Sequence, residues 1–303
     1  MKKFILQLIL FCVASILAGE IIVRAFDLTV DVPKSYRAES GMIKYYPGQE
    51  GKYAVGSHRW KINEFGYAGT VPSGTDNLIT LLGDSYIENF MNPTECHQDA
   101  YLKSELPQYN FIEAGRATAS FLEMLEMSKA YDSLNPFLHV FYVKNSDFLQ
   151  SIDNGKGKKN DKVSYNLKTG KIQYAKYEGS TSKDILYNFK FFYYCYRNIW
   201  HTEGNNGEIP DEKAIDKLNR EEIVPFMDYV KKNYDAGKMA LVFYPESSKE
   251  LMDLCKSYGF KVMVIETDNH KSWQFEHDAH WTCYGHKQVA LQVKKFIEEL
   301  AVK

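Results

Sequence analysis

A chain of 303 residues, 45% hydrophobic and 25% charged, has the composition of an ordinary globular protein with room for one large core or two smaller ones. Its formal net charge of −2, from 37 Lys+Arg against 39 Asp+Glu, lacks the basic excess of a nucleic-acid binder, so no nucleic-acid partner is expected. Five cysteines without a Cys-x-x-Cys pair argue against a zinc knuckle or a thioredoxin-like centre.

Lys2 and Lys3 precede an apolar stretch from Phe4 to Val23, interrupted by Gln7 and Glu20. It has the roughly 20 residues that a spanning helix needs. A cleaved signal requires a small residue three positions before the cut, and Ile16 or Leu17 falls there around Ala18-Gly19. Phe11 before Cys12 does not suit a lipoprotein. Residues 1–26 therefore read as an uncleaved signal anchor, with secretion after signal cleavage as the alternative. Either way the two lysines stay inside and the rest of the chain is exported to the periplasm or cell surface. Outside the cytoplasm two of Cys96, Cys195, Cys255 and Cys283 can pair, and the sequence does not say which.

Residues 27–75 read as an irregular lead-in, with Pro33, Pro47, Pro72 and scattered glycines but no sustained periodicity. From residue 76 to 303 the pattern is that of one domain. Five short apolar runs follow, Asn77–Leu82, Tyr109–Ala114, Phe137–Val143, Met239–Tyr244 and Phe260–Ile265, each suited to a strand buried on both faces. Helical patterns stand between most of them or after the last, at Phe121–Ser133, Glu222–Tyr234, Ser247–Ser257 and His286–Leu300. This alternation predicts an α/β fold, a central parallel sheet of about five strands with helices on both sides. The spacing breaks at about residues 150–215, an insertion. There Asp153–Asp161 reads as a polar loop, Lys162–Tyr174 as a hairpin around Lys168-Thr169-Gly170, and Asp184–Trp200 as an aromatic-rich helix. The insertion is either a wall of a substrate pocket or a structural flap. The aromatic surplus reads as packing, with a sugar-binding face as the alternative.

In such sheets sites form beyond the carboxyl ends of the strands. Ser85 stands there, after Gly83-Asp84 and the first run, where helix-start N–H groups can hold an oxyanion. A serine in that place is also a common helix cap, so the motif needs company. Asp278 and His280, before the last helix, are two apart and project to the same side of an extended segment, which lets a carboxylate orient an imidazole that serves the serine. Gly115 ends the second run and can offer a backbone N–H; Asn145 follows the third and can offer its side-chain amide. Both are equally at home as turn residues. Glu276, His277, Asp278, His280 and His286 cluster in sequence, but without a His-x-x-x-His pair on a helix face they are not read as a metal site. His286 is expected to cap or pack the last helix, and His277 is either exposed or behind the site.

The order Gly83-Asp84-Ser85, Gly115, Asn145, Asp278-x-His280 resembles the SGNH, or GDSL-like, hydrolase superfamily across about residues 60 to 300. The segments Ile62-Asn63-Glu64-Phe65-Gly66-Tyr67 and His277-Asp278-Ala279-His280-Trp281 look like those of its membrane-anchored, extracytoplasmic members. The resemblance implies a flavodoxin-like three-layer α/β/α sandwich with Ser85 as nucleophile, His280 as base and Asp278 as its orienting acid. Ser85, Gly115 and Asn145 would form the oxyanion hole, and no metal or cofactor is implied. The departures are a gap of two between acid and histidine, Glu113-Ala114 before Gly115, and Asn145-Ser146-Asp147 in place of Asn-Asp. The expected activity is that of a serine esterase on a small ester or an O-acyl group of a cell-surface or secreted glycan. The alternatives are an O-acyltransferase using the same residues and a non-catalytic glycan-binding protein on the same fold.

Overall fold

The structure is a computed structural model, and it describes residues 1–53, 58–153, 162–174, 181–200, 219–268, 270, 272–276 and 278–301. Residues 154–161 of the polar loop expected at 153–161, and His277, lie outside them. A long helix, α1 (Lys2–Ala25), comes first. It is long and apolar enough to cross a membrane and none of its apolar window is buried against protein. The lead-in departs from the irregular expectation. It holds two antiparallel pairs, β1 (Ser35–Arg37) with β2 (Ile43–Tyr45), and β3 (Glu50–Lys52) with β4 (Arg59–Lys61). Strands of three residues are too short to print an alternation that a sequence window can detect.

The central sheet contains β5 (Leu78–Gly83), β6 (Asn110–Gly115), β7 (Leu138–Val143), β11 (Met239–Phe243) and β12 (Lys261–Val264). These are the five apolar runs, within a residue or two at each end. They are parallel throughout, in the order β12-β11-β7-β5-β6. Counted along the sheet the order is 2-1-3-4-5, the flavodoxin-like doubly wound arrangement. Its helices are α2 (Ser85–Glu88), α3 (Gln98–Glu105), α4 (Phe121–Lys129), α5 (Asn145–Gln150), α8 (Arg220–Asn233), α9 (Lys249–Ser257) and α10 (Cys283–Ala301).

Alternate residues of each strand serve opposite layers, as a two-residue repeat requires. Leu78, Leu82, Phe141, Leu241 and Phe243 pack against Phe121 of α4, Phe226 of α8 and Leu251 of α9. Ile79, Leu81, Val140 and Val242 pack against Leu102 of α3 and Val289, Val293 and Ile297 of α10. Each side chain so buried contributes roughly 1.5–3 kcal/mol, which is why the sheet rather than the loops sets the geometry of what sits on its edge. α4 starts with a capping box in which Ser120 and Glu123 satisfy each other's backbone N–H groups. Thr80 and His139, on adjacent central strands, satisfy each other at 2.7 Å.

The insertion divides in two. Its first half is a small sheet of β8 (Ile152–Asp153), β9 (Ser164–Asn166) and β10 (Lys171–Gln173), with β9 and β10 forming the expected hairpin. Tyr165 and Val163 join the core beneath α4 and α8, so this half is structural. The second half holds α6 (Thr181–Asn188) and α7 (Lys190–Cys195), followed by a wider turn at Tyr196–Trp200. A single helix over 184–200 was expected; the chain leaves helical geometry at Phe189 (φ −94°, ψ 88°). A last pair, β13 (Gln274–Phe275) with β14 (Asp278–Trp281), precedes α10.

Candidate active site

β5 ends at Gly83, and α2 turns back over the strand at once. A Cβ on Gly83 would come within 2.4 Å of the Ile87 side chain, so the tight return needs glycine there. Asp84 caps α2: its Oδ1 accepts the Tyr86 N–H at 3.0 Å and the Tyr244 hydroxyl at 3.3 Å, and its Oδ2 pairs with Lys144 Nζ at 3.2 Å. The buried Asp84 is thus the structural member of the Gly-Asp-Ser turn, and Ser85 is released from capping to face outward.

Ser85 Oγ lies 2.7 Å from His280 Nε2. The other ring nitrogen, Nδ1, is hydrogen-bonded to Asp278 Oδ1, which also accepts the His280 backbone N–H at 2.9 Å. Because a carboxylate only accepts, Nδ1 carries the proton and Nε2 is left to accept from the serine hydroxyl. The three residues come from β5's end and from β14, 195 positions apart in sequence. Tyr86 holds the two segments together: its hydroxyl donates to the Ala279 carbonyl at 2.8 Å, and its ring lies tilted 4.7 Å from the His280 ring and edge-on 4.7 Å from Trp281. The Cys96–Cys283 disulfide ties the same two segments again, three residues beyond His280. It resolves the pairing the sequence leaves open; Cys195 and Cys255 are free.

Asn145 sits at the start of α5, beyond the end of β7 and so beside β5. Its Oδ1 accepts the Ser248 N–H at 3.0 Å, which fixes the amide orientation and leaves the Nδ2 donor turned the other way. Gly115 ends β6. Arg116 donates its N–H to the Gly83 carbonyl at 3.2 Å, and successive N–H groups of a strand point to opposite sides. The Gly115 N–H therefore points away from β5, toward the open edge of the sheet. The residue is glycine because a Cβ there would lie 2.0 Å from the Glu88 backbone nitrogen. Gly115 thus serves close packing against Glu88.

The turn after it supplies another donor. Glu88, buried and pushed up to about 7 by burial, accepts the Tyr45 hydroxyl at 2.6 Å and the Ala117 N–H at 3.0 Å. Ala119 donates to the Arg116 carbonyl at 2.9 Å. Thr118, between them, is exposed and held at φ 62°, a left-handed conformation that is rare for a β-branched residue. Its N–H has no acceptor among the described residues. The same is true of the Ser85 N–H, at the start of α2. No sequence signal marks Thr118; glycine is the residue one looks for in left-handed backbone.

Elsewhere, His97, Asp99 and Glu113 offer ligand atoms within 4.8 Å of one another. Those atoms are taken up internally: His97 Nδ1 meets Glu113 Oε2 at 2.8 Å, Thr70 donates to Asp99 at 2.8 Å and the Asp99 N–H donates to Glu113 at 3.1 Å. His286 is buried on the Gln98 side chain, and burial lowers it to about 3, so it is neutral.

No family model and no curated protein matches the chain. Among solved structures, the chain is similar to the psychrotrophic esterase EstA from Pseudoalteromonas sp., with 10% identity over 75% of this chain and 100% of that one, at a TM-score of 0.43. It is also similar to a member of the lipolytic protein G-D-S-L family from Veillonella parvula, with 11% identity over 72% of this chain and 96% of that one, at a TM-score of 0.37. A third similar structure is TesA, with 9% identity over 74% of this chain and 99% of that one, at a TM-score of 0.41.

Proposed function

We propose that the chain is an extracytoplasmic, membrane-anchored serine esterase of the SGNH type. The observation that carries this reading is the continuous hydrogen-bonded chain from Ser85 Oγ through His280 to Asp278. Ser85 attacks the ester carbonyl while His280 Nε2 accepts its proton, and Asp278 stabilises the imidazolium that forms. The carbonyl oxygen becomes an oxyanion held by the Ser85 N–H, Asn145 Nδ2 and the Thr118 N–H. His280 then returns the proton to the leaving alcohol, and water releases the acid from the acyl-enzyme. The strained Thr118 backbone supports its place in this set, since left-handed β-branched residues cost about 1–3 kcal/mol and gather at functional sites.

The substrate class proposed with it is an O-acyl group on a cell-surface or secreted glycan. The likeness of the His280 segment to membrane-anchored SGNH members and the apolar helix α1 support that choice. The Cys96–Cys283 disulfide supports an oxidising compartment. The test is release of 4-nitrophenol from 4-nitrophenyl acetate, and of acetate from an O-acetylated polysaccharide, by the purified chain. Both activities should disappear in Ser85→Ala; undiminished hydrolysis in that variant defeats the proposal.

A further inference from the structure

The helix α1 does not stand apart from the folded chain. Near its end it docks on α7. Gly19 lies under the Phe191 ring, where a Cβ would come within 2.5 Å. Glu20 accepts the N–H groups of Lys190 and Phe191, at 3.2 and 2.7 Å, and so caps the start of α7. Arg24 donates to the Asn188 carbonyl at the end of α6 at 2.7 Å. One acidic and one basic side chain of α1 thus satisfy both sides of the break at Phe189.

The outer face of the docked element is apolar. Ile185, Phe189, Phe192, Tyr196 and Ile199 are 55, 51, 41, 37 and 62% exposed. A soluble surface scatters such residues singly; five within fifteen residues mark a contact surface. Its height follows from α1. At about 1.5 Å per residue the run Phe4–Val23 spans roughly 30 Å, the thickness of a hydrocarbon core. Gly19 is then about 6 Å inside the outer end, within the roughly 5–10 Å to which interfacial helices sink. Beside it a cleft of about 610 Å³ is lined by Arg24, Lys34, Lys183 and Lys190 with Asp31 and Glu50; Arg24 is paired with Glu20 and Lys190 with Asp31.

We propose that α6, α7 and the turn after them lie in the interfacial layer of the bilayer that α1 crosses, with the Ile185–Ile199 surface in contact with lipid. The proposal rests on the reading of α1 as a membrane span. The bilayer is favoured over a second copy because these residues sit on the element that docks on α1, whose apolar side chains from Phe4 to Ile22 are exposed. The consequence is that the catalytic domain is held in a set orientation on the membrane.

The experiment uses the full chain with Cys12 and Cys195 replaced by Ser and the buried Cys255 by Ala, and one environment-sensitive fluorophore (NBD) at Leu10→Cys, Phe192→Cys, Ile199→Cys or Glu298→Cys. The protein is reconstituted in phosphatidylcholine–phosphatidylglycerol vesicles with brominated acyl chains. Labels at 192 and 199 should be blue-shifted and quenched as the Leu10 label is, with the Glu298 label on α10 unaffected. If Leu10 is quenched and 192 and 199 are not, the anchor stands and the proposal falls. If Leu10 is not quenched either, the anchor reading falls with it. Excimer emission from pyrene at 192 without bromolipid quenching assigns the Ile185–Ile199 surface to a second copy instead, which also overturns the proposal.

Discussion

Replacing the Cys96–Cys283 pair by alanines tests how the two halves of the site are kept together. The bond closes a loop of 187 residues. In the chain-entropy description, opening a loop of that length frees about 18 cal/mol/K in the unfolded state, or about 5 kcal/mol at 25 °C. For a domain of this size each kcal/mol moves Tm by roughly 2–4 °C, so the double variant should melt roughly 10 °C or more below the parent. Thermal unfolding under matched non-reducing conditions measures this, and reductant should lower the denaturant midpoint of the parent chain in the same direction. Because Cys283 stands three residues after His280, kcat/KM should fall as well at temperatures where the variant is still folded. A Tm loss below about 2 °C would refute the reasoning, since it would mean that the bond does not constrain the unfolded chain as its sequence span requires.

Asn145→Ala removes one oxyanion donor and should lower kcat by about 10²–10³-fold with a smaller effect on KM; unchanged ester hydrolysis would remove Asn145 from the site. Thr118→Gly keeps the N–H and relieves the left-handed strain, so it should retain activity and gain about 1 kcal/mol of stability; a folded Thr118→Gly that loses ester hydrolysis would show that the side chain and not the N–H serves the site. Glu88, raised from 4.5 to about 7 when folded, keeps a proton between those values that the unfolded chain has released. The folded state therefore binds more protons in that window, and stability falls by up to about 3 kcal/mol as pH rises through it. Glu88→Gln retains the acceptor for Tyr45 and Ala117 without the charge and should flatten the fall; chemical denaturation at pH 4.5 and pH 8 would show parallel losses if burial of Glu88 does not matter.

The sheet is legible from sequence because its five strands are buried on both faces and so appear as continuous apolar runs. The strand order is legible only once a family resemblance is added. Ser85, Asp278 and His280 are legible because their chemistry is scarce and each falls at a strand end or before a helix. Gly115 is legible as necessary but not as to why: a glycine after a strand looks the same whether it frees an N–H or admits a neighbouring backbone, and the Glu88 backbone does approach it. Thr118 is invisible, since its residue type does not announce the left-handed backbone it adopts in the turn that Glu88 holds through Ala117. The Cys96–Cys283 pairing and the Tyr86–Ala279 tie depend on which segments meet in space, which one sequence without its fold does not state. The aromatic stretch at 185–199 shows its purpose only when α1 is seen against α7.

The central claim is that Ser85 is the nucleophile activated by His280. Labelling the full chain with a fluorophosphonate and mapping the adduct by mass spectrometry tests it most directly. The account predicts a single adduct on Ser85, absent from Ser85→Ala and formed far more slowly in His280→Ala. A folded protein that takes no label at Ser85, or takes it equally fast without His280, would contradict it.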